Sequence, residues 1–348
     1  MRPTLPNTSD RAATARPRVS QPRHKLMWAA GLVLISLNLT AASTALAQGS
    51  YPSHAIKLIV PWPPGQATDL AGRVVAQELS KELGQSVVVE NKAGAGGTIG
   101  TDMVAKSAPD GYTILMASSG PVTVSPLLQQ LPYKPQRDLE PIAMVGLSPY
   151  VLVTAPNFPA KDIKEFVALV KANPGKYTFA SSGTGATAHL IAESLNGALG
   201  LKSVHVPYKG SSPALTDVSS GQVTYSVETA AATMPFVRSG RLKGYGVSLA
   251  KGSIVTPGFE PLAKTAGIPG FDLGAWLGVM VPAGTPAPVV NRLSAAVAKI
   301  MALPEVIQAF TTIAVEVDYR NPNDFKRYLS QISKEFSQVI KVNDIKLD

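Results

Sequence analysis

Two loops of small polar residues are the parts of this chain whose residue types and spacing could do chemistry. The first reads Pro-Trp-Pro-Pro-Gly-Gln-Ala-Thr-Asp over residues 61–69, and the second reads Ser-Ser-Gly-Thr-Gly-Ala-Thr over residues 181–187. Each loop follows a short apolar run typical of a strand and precedes a helical pattern. A helix that starts there offers unpaired backbone N–H groups and the positive end of its dipole to an anion. Facing each other across a cleft, the two loops would bind a small carboxylate between two lobes.

Each loop also has a purely structural explanation. Thr68 or Asp69 is placed to cap a helix that follows Gly65, and capping alone would account for both side chains. The second loop lacks bulky side chains, so a ligand could approach its backbone closely, but it could equally be an ordinary polar turn. His189 lies inside the second helix and is either a ligand contact or a packed structural residue.

Three further loops follow strand-like runs and are candidates for the edge of the same cleft. They contain Ser118-Ser119, Tyr208-Lys209-Gly210 and Glu228-Thr229, and the Glu228 carboxylate could meet a ligand amine or cap the next helix. The predicted ligand-binding residues are Trp62, Gly65, Gln66, Ala67, Thr68, Asp69, Ser118, Ser119, Ser181, Ser182, Gly183, Thr184, Thr187, His189, Tyr208, Gly210, Glu228 and Thr229.

The sequence gives little support for catalysis or for cofactor binding. The chain has no cysteine and no G-x-S-x-G elbow. The run from Gly94 to Gly100 resembles a dinucleotide fingerprint, but Ile99 stands where the third glycine is needed. We therefore predict no enzyme activity, no catalytic residue, no cofactor and no metal. The rival is a hydrolase or transferase that uses Ser182 or Thr184 with His189 as the base.

Strand-like and helical runs alternate along the chain, as they do in parallel βαβ units, and predict an α/β fold with two lobes. Helices are predicted over 68–83, where Gly84 ends the pattern, and over 160–173, 186–198, 288–302 and 323–342. Strands at 150–154 and 276–281 would carry the chain into the second lobe and back, which makes two hinge crossovers. The predicted lobes are 48–150 with 273–348, and 151–272.

The first 47 residues predict a cleaved secretory signal peptide. A basic leader precedes an apolar run from Met27 to Leu39, and Ala45-Leu46-Ala47 is a small-residue cleavage signal. An N-terminal membrane anchor would need about 20 apolar residues, and this run is shorter. Together with the lack of cysteine, which leaves no residue for a lipid anchor, this predicts a free protein of the periplasm.

The charge of the mature chain favours small anions over nucleic acids. Six of the 32 basic residues and one of the 23 acidic residues lie in residues 1–47, which leaves a net charge of about +4. No run of basic residues interleaved with aromatic residues is present, so nucleic-acid binding is not expected. The mild positive excess is compatible with the attraction of an acid.

At these loops the chain resembles the Bug family, the periplasmic receptors of tripartite tricarboxylate transporters. The resemblance spans roughly residues 50–348. Its matching runs are 61–65 with Thr68-Asp69, 88–91 with 94–97, 108–112, 177–190, 204–210 and 282–286.

The resemblance implies a two-lobed periplasmic binding protein of the Venus-flytrap type II kind, without catalytic activity. We also predict that the protein is a monomer. Its ligand would be a di- or tricarboxylate, an amino acid or an aromatic acid, held by backbone N–H groups and small hydroxyls. The partner would be a membrane permease, or a sensor protein in the alternative. Two departures touch the pocket, because the family usually has glycine in place of Gln66 and Asp-Asn in place of Glu228-Thr229.

Overall fold

The computed structural model describes residues 51–342 and residue 345 as a mixed α/β molecule. The predicted signal peptide and its cleavage site lie outside these residues. Two separate sheets, of six and five strands, organise the described chain.

The first part of the chain alternates strands and helices. Its elements are β1 (Ile56–Val60), α1 (Ala67–Leu83), β2 (Val87–Asn91), α2 (Thr98–Ala105), β3 (Thr113–Ser118) and β4 (Leu139–Ser148). Short helical segments at Ala95–Gly97, Gly120–Val124, Ser125–Leu128 and Pro135–Asp138 join them. Helix α1 ends at Gly84, as predicted, because this glycine takes the left-handed φ of +67° and its amide donates to the Ser80 carbonyl.

The middle part has the same alternation. Its elements are β5 (Tyr150–Thr154), α3 (Ile163–Lys171), β6 (Thr178–Ser181), α4 (Thr187–Leu199), β7 (Val204–Pro207), α5 (Ser211–Ser220), β8 (Tyr225–Thr229), α6 (Ala230–Arg238) and β9 (Lys243–Val247). A short helix at Leu262–Thr265 follows.

The last part returns to the first sheet. Its elements are β10 (Ala275–Pro282), α7 (Ala287–Met301), α8 (Pro304–Thr312), β11 (Glu316–Arg320) and α9 (Pro322–Val342). Across the described residues, no single helix is long and apolar enough to cross a membrane, and only α7 with α8, bent by 76°, meet the length and composition criteria as a pair.

The sheets define two lobes that are joined by two crossovers. The six strands of the first lobe lie in the order β11-β4-β10-β3-β1-β2, and the five of the second lie in the order β7-β6-β8-β5-β9. The chain enters the second lobe between Ser148 and Tyr150 and returns between β9 and β10. Strands β1, β2 and β3 are parallel, whereas β10 runs antiparallel to both β3 and β4.

Both faces of each sheet are covered by helices, so each lobe has three layers. In the first lobe, Ile56, Leu58 and Val60 of β1 are buried against α1 and α7, while Ile59 between them belongs to the core beneath α2 and α9. This alternation is the two-residue period of a strand. In the second lobe, α3 and α4 cover one face and α5 and α6 cover the other.

Three details differ from the sequence-based expectation. Helix α1 starts at Ala67 and its N-cap is Gln66, which makes no capping hydrogen bond, so neither Thr68 nor Asp69 is the N-cap residue. Strand β4 was not expected, and Pro141 within it obscured the strand pattern. Strand β11 was also not expected, because its residues are half-buried or exposed and partly charged, as suits a strand at the edge of a sheet.

Candidate functional site

A small cavity lies where the two lobes meet, and we call it the inner cavity. Residues of both lobes and of both crossovers surround it. Its lining is formed by Trp62, Gln66, Ala67, Thr68, Ser118, Ser148, Tyr150, Ser182, Thr187, Glu228, Thr229, Ala275 and Leu277. Nine of these were predicted as ligand-binding residues from the sequence.

Two helix N-termini, one from each lobe, open on the inner cavity. Gln66, Ala67 and Thr68 are the N-cap and the first two residues of α1, and Thr187 is the first residue of α4. The amides of a first turn have no acceptor within their own helix, and the dipoles of these two long helices add partial positive charge. The cavity therefore attracts an anion from two sides.

The loop before α1 is fixed by a buried carboxylate. The Gly65 amide donates to Asp69 Oδ2 at 2.9 Å, and Asn91 Nδ2 donates to Asp69 Oδ1 at 2.8 Å. Arg73 adds a further contact with the same carboxylate at 3.1 Å. Asp69 therefore positions the loop while Gly65, at a φ of +88°, allows the turn.

Four buried polar atoms of the inner cavity have no hydrogen-bond partner. They are Gln66 Nε2, Ser148 Oγ, Glu228 Oε1 and Thr229 Oγ1. A buried polar atom without a partner is costly, and most such atoms in folded proteins are paired. Four of them around one cavity leave hydrogen-bonding capacity that water or a polar ligand can fill.

The cavity contains one acid and, among the described residues that line it, no Arg, Lys or His. Burial raises the pKa of Glu228, although hydrogen bonds from Ser211, from Ser182 and from the Thr229 amide oppose the effect. Burial and the nearby Glu228 charge raise the pKa of Tyr150 well above its usual range, so its phenol stays a neutral hydrogen-bond donor.

A second, larger and more open cavity adjoins the first, and we call it the outer cavity. It is lined by Trp62, Pro63, Gly94, Ala95, Gly96, Gly97, Ser182, Gly183, Thr184, Pro207, Tyr208 and Lys209. Trp62 and Ser182 line both cavities, and exposed residues such as Ala95 and Lys209 place the outer cavity toward the solvent. Three predicted residues, Gly183, Thr184 and Tyr208, are found here.

The two lobes touch each other across the cleft. Ser119 Oγ of the first lobe and Thr187 Oγ1 of the second lie 2.8 Å apart, and Ser125 Oγ donates to the Gly185 carbonyl at 3.1 Å. These contacts hold the N-terminus of α4 against the first lobe. The arrangement encloses the inner cavity.

Six predicted residues line neither cavity. They are Gly65, Asp69, Ser119, Ser181, His189 and Gly210. Ser181 Oγ is 2.7 Å from His205 Nε2, and the Gly185 amide donates to His189 Nδ1 at 3.3 Å. Their surroundings thus show structural contacts, while a direct contact with a ligand stays a prediction.

Four lining residues were missed by the sequence analysis: Ser148, Tyr150, Ala275 and Leu277. All four lie where the chain crosses between lobes, and β4 pairs with β10 so that Ser148 stands opposite Ala275. Ser148 and Ala275 are 127 residues apart along the chain, so the sequence gives no local signal for this contact. Within the described residues, no group of three or more His, Asp or Glu side chains is arranged to hold a metal ion.

The stacked pair His189–His205 beside the second loop makes stability depend on pH. Burial, and to a lesser degree the charge of His189, lowers the pKa of His205 to about 3, against about 6.5 in an unfolded chain. As the pH falls below about 6.5, the unfolded chain takes up a proton that the folded chain refuses, so stability present at higher pH is lost. Because His205 is only half-buried, we expect a loss of roughly 1 kcal/mol between about pH 7 and about pH 5.

Thermal unfolding of the wild type and of His205→Gln at these two pH values checks this expectation. The substituted amide is neutral throughout and should reduce the loss on acidification. His54 is the control: it is exposed, and it stacks on Tyr112 rather than on either histidine of this pair. His54→Gln should therefore lose as much stability on acidification as the wild type. An equal loss in His205→Gln would contradict the assignment.

A two-lobed α/β fold with an anion-attracting cavity between its lobes defines the class of periplasmic binding proteins. A family model described as tripartite tricarboxylate transporter family receptor matches residues 71–345. The chain therefore belongs to this receptor family, as the resemblance to the Bug proteins predicted.

Curated relatives agree with this assignment. The chain is 37% identical over 283 residues to a UPF0065 protein from the tcbD-tcbE intergenic region of Pseudomonas sp. strain P51, covering 81% of this chain and 84% of the relative. It is 35% identical over 325 residues to the protein BugT of Bordetella pertussis, covering 93% of this chain and 98% of BugT.

Solved structures share the fold over most of their length. A structure described as a periplasmic transporter has a TM-score of 0.82 at 38% identity, covering 86% of this chain and 100% of that structure. Rpa4515 of R. palustris, solved with adipate, has a TM-score of 0.82 at 27% identity, covering 85% and 99%. MatC of Rhodopseudomonas palustris, solved with bound malate, has a TM-score of 0.79 at 31% identity, covering 83% and 100%.

Proposed function

We propose that this chain binds a small carboxylic acid in the inner cavity and delivers it to a membrane permease of the tripartite tricarboxylate type. One observation carries the proposal: the N-termini of α1 and α4, from opposite lobes, open on a single cavity that no cationic side chain of the described residues lines. Backbone amides and hydroxyls would bind the carboxylate, and the contacts between the lobes would exclude water from it.

The expected strength of binding is compatible with a receptor. A hydrogen bond to a charged group contributes roughly 1.5–3 kcal/mol, so four or five of them exceed the cost of ordering the ligand. The result is a dissociation constant in the micromolar range. The adipate and malate in the two related structures support a small dicarboxylate as the first ligand to test.

Hydrolysis is the weaker candidate function. His189 would have to act as a base toward Ser182 or Thr184, yet its Nδ1 accepts from the Gly185 amide and its Nε2 lies 3.9 Å from Glu193 Oε1. Both ring nitrogens are thus directed to other groups. The family is a receptor family, which also favours binding without turnover.

The same proposal places the mature protein in the periplasm. Residues 1–47 would direct export and be removed, leaving a free periplasmic monomer whose lobes are 48–150 with 273–348, and 151–272. A sensor protein in place of a permease is the alternative partner, because either one would recognise the ligand-bound form of the protein.

A screen of acids by thermal shift tests the proposed function. Purified mature protein is heated with mono-, di- and tricarboxylates, amino acids and aromatic acids, among them adipate and L-malate. We expect at least one acid to raise the melting temperature, since a ligand that binds only the folded state stabilises it. If no acid does so and calorimetry also detects no binding, the proposal is wrong.

Thr229→Val tests whether the ligand occupies the inner cavity. The Thr229 hydroxyl is buried, lines the cavity and lacks a partner, so valine removes no hydrogen bond within the protein. We expect affinity for the best acid of the screen to fall roughly tenfold, which is about 1.4 kcal/mol, while the melting temperature holds or rises.

Thr233→Val is the matched control, because Thr233 lies in the first turn or so of α6, the helix whose N-cap is Thr229. Its hydroxyl is also buried but donates to the Thr229 carbonyl at 3.1 Å, and Thr233 does not line the cavity. This variant should lose about 1 kcal/mol of stability and keep its affinity. The opposite pattern in the two variants would place the ligand elsewhere.

A further inference from the structure

The two carboxyl oxygens of Glu228 differ in their surroundings: Oε2 accepts two hydrogen bonds, while Oε1 lines the inner cavity, where Ser182 also approaches the carboxyl group. Ser211 Oγ donates to Oε2 at 2.8 Å, and the Thr229 amide donates to the same oxygen at 3.3 Å. Oε1 is buried, lines the cavity and has no hydrogen-bond partner of good geometry. The group is 1% exposed, so bulk water does not satisfy this oxygen.

Among the residues that the structure describes, no Arg, Lys or His lines the cavity beside this carboxyl group. Of the titratable groups on the elements packed around it, only the Tyr150 phenol of β5 interacts electrostatically with Glu228. Helix α5 presents Ser211, the second loop presents Ser182, and α1 presents Gln66, none of which titrates. The Asp69 carboxylate of α1 is already bonded to Arg73 and Asn91.

A bound acid brings a second carboxyl group into the same cavity. Two carboxylates that share a site without a cation cannot both be ionised, because each raises the pKa of the other, and one proton stays between them. Burial already raises the pKa of Glu228 in the absence of a second charge. A neutral Glu228 would also turn its free oxygen into a hydrogen-bond donor, which is what an anionic ligand needs.

We infer that Glu228 determines specificity by binding the acid as a neutral hydrogen-bond donor, so that each acid bound takes up one proton from the solvent. The inference rests on the proposed function, since it assumes a carboxylate in the inner cavity. The proton goes to the Glu228 carboxyl group on binding and returns to the solvent on release. Affinity is then highest at acidic pH, and an acid with an ammonium group has no advantage over its hydroxy analogue.

Titration calorimetry of the mature protein with L-malate, adipate and L-aspartate tests this inference. Each is measured from about pH 5 to about pH 8.5 in two buffers with different heats of ionisation, which gives the number of protons taken up. We expect uptake of close to one proton for L-malate or adipate at the upper end of this range. The dissociation constant should rise by up to tenfold for each pH unit there, because binding linked to one proton has that slope.

Glu228→Gln distinguishes proton uptake from hydrogen-bond donation to the ligand. The carboxamide can donate without a proton from solvent, so uptake should drop to nearly zero and the affinity should no longer depend on pH. At about pH 8.5 this variant should bind at least as tightly as the wild type. Glu260→Gln is the control, because Glu260 is exposed and paired with Lys264, and it should keep the proton uptake of the wild type.

A measurement without ligand shows whether Glu228→Gln folds. The raised pKa of Glu228 gives the wild type stability that is present at low pH and lost as the pH rises through the folded-state value. The variant should therefore melt at or above the wild-type temperature at about pH 8.5.

Three results would overturn the inference. Binding of L-malate or adipate with no proton uptake and no pH dependence in the wild type removes it while leaving the proposed function intact. Binding of L-aspartate in clear preference to L-malate shows an ionised Glu228 that pairs with an ammonium group. If none of the acids binds at any pH, the proposed function fails and the inference fails with it.

Discussion

Gly96→Ala is expected to weaken ligand binding roughly a hundredfold while the protein stays folded. Gly96 lies in the first lobe, and a Cβ atom there would be 2.8 Å from the Thr184 carbonyl oxygen and 3.5 Å from the Ala186 amide of the second lobe. Both neighbours are backbone atoms, so no side chain can move aside. The lobes must separate instead, and overpacking of this kind costs up to about 3 kcal/mol in the closed arrangement that holds the ligand.

Gly84→Ala is a matched control for the backbone strain that alanine introduces at a positive φ. Gly84 has a φ of +67° and Gly96 a φ of +62°, so alanine is strained to a similar degree at both, by roughly 1–2 kcal/mol. A Cβ atom at Gly84 meets nothing within 4 Å. Calorimetry with L-malate or adipate should find wild-type affinity in Gly84→Ala, and small-angle scattering should find an expanded molecule only in Gly96→Ala. Equal affinities in the two variants would show that contact at Gly96 does not control closure.

The sequence was sufficient for the elements whose signals are local. Helix α1 shows a regular apolar face and a terminal glycine, and Tyr150–Thr154 is an apolar run bounded by Pro149 and Pro156. Residues of the two loops, 61–69 and 181–187, could be predicted as neighbours because both loops follow strands and precede helices. The structure brings Thr68 and Ser182 to the same cavity on that basis.

What the sequence could not reveal depends on pairing between distant segments. Ser148 and Ala275 become neighbours only when β4 and β10 pair, 127 residues apart along the chain. The contact between Ser181 and His205 likewise requires β6 and β7 to lie side by side. Local patterns predict that a strand exists, but register between strands is set by the whole core.

Contacts within each lobe explain why some predicted site residues have structural partners. Asp69 looked free to cap a helix or bind a ligand, and in the fold it joins Gly65, Arg73 and Asn91. Tyr208 was predicted at the cleft, and although it lines the outer cavity, its hydroxyl donates to Asp217 at 2.5 Å. The polar side chains of Asp69 and Tyr208 thus form hydrogen bonds within their own lobe, which stabilise the loops that surround the cavities.

Trp62 separates the inner cavity from the outer cavity, and its removal should have a large effect on binding. The ring is 6% exposed, lines both cavities, and donates from Nε1 to Ser118 Oγ at 2.8 Å. Asn91 Nδ2 donates to the Trp62 carbonyl at 2.9 Å, which fixes the backbone beneath the ring. The ring also fills the space that side chains at Gly97 and Gly120 would need.

We expect Trp62→Ala to lose roughly a hundredfold in affinity for L-malate or adipate and about 3–5 kcal/mol in stability. The two cavities would merge, and water entering from the outer cavity would compete for the amides of α1 and α4 and weaken their hold on the acid. Trp62→Phe keeps a ring in the wall and should lose far less of both. If Trp62→Ala binds as tightly as Trp62→Phe, the wall between the cavities does not protect the ligand.

Tryptophan fluorescence tests independently whether the ligand binds next to Trp62. In the wild type, a ligand beneath Trp62 should shift the tryptophan emission, because a charged acid then takes the place of water against the buried ring. Trp276 is fully buried and does not line either cavity, so Trp276→Phe should keep the shift and Trp62→Phe should abolish it. A shift that survives in Trp62→Phe would mean that the acid binds away from the inner cavity, since no other tryptophan of the described residues lines it.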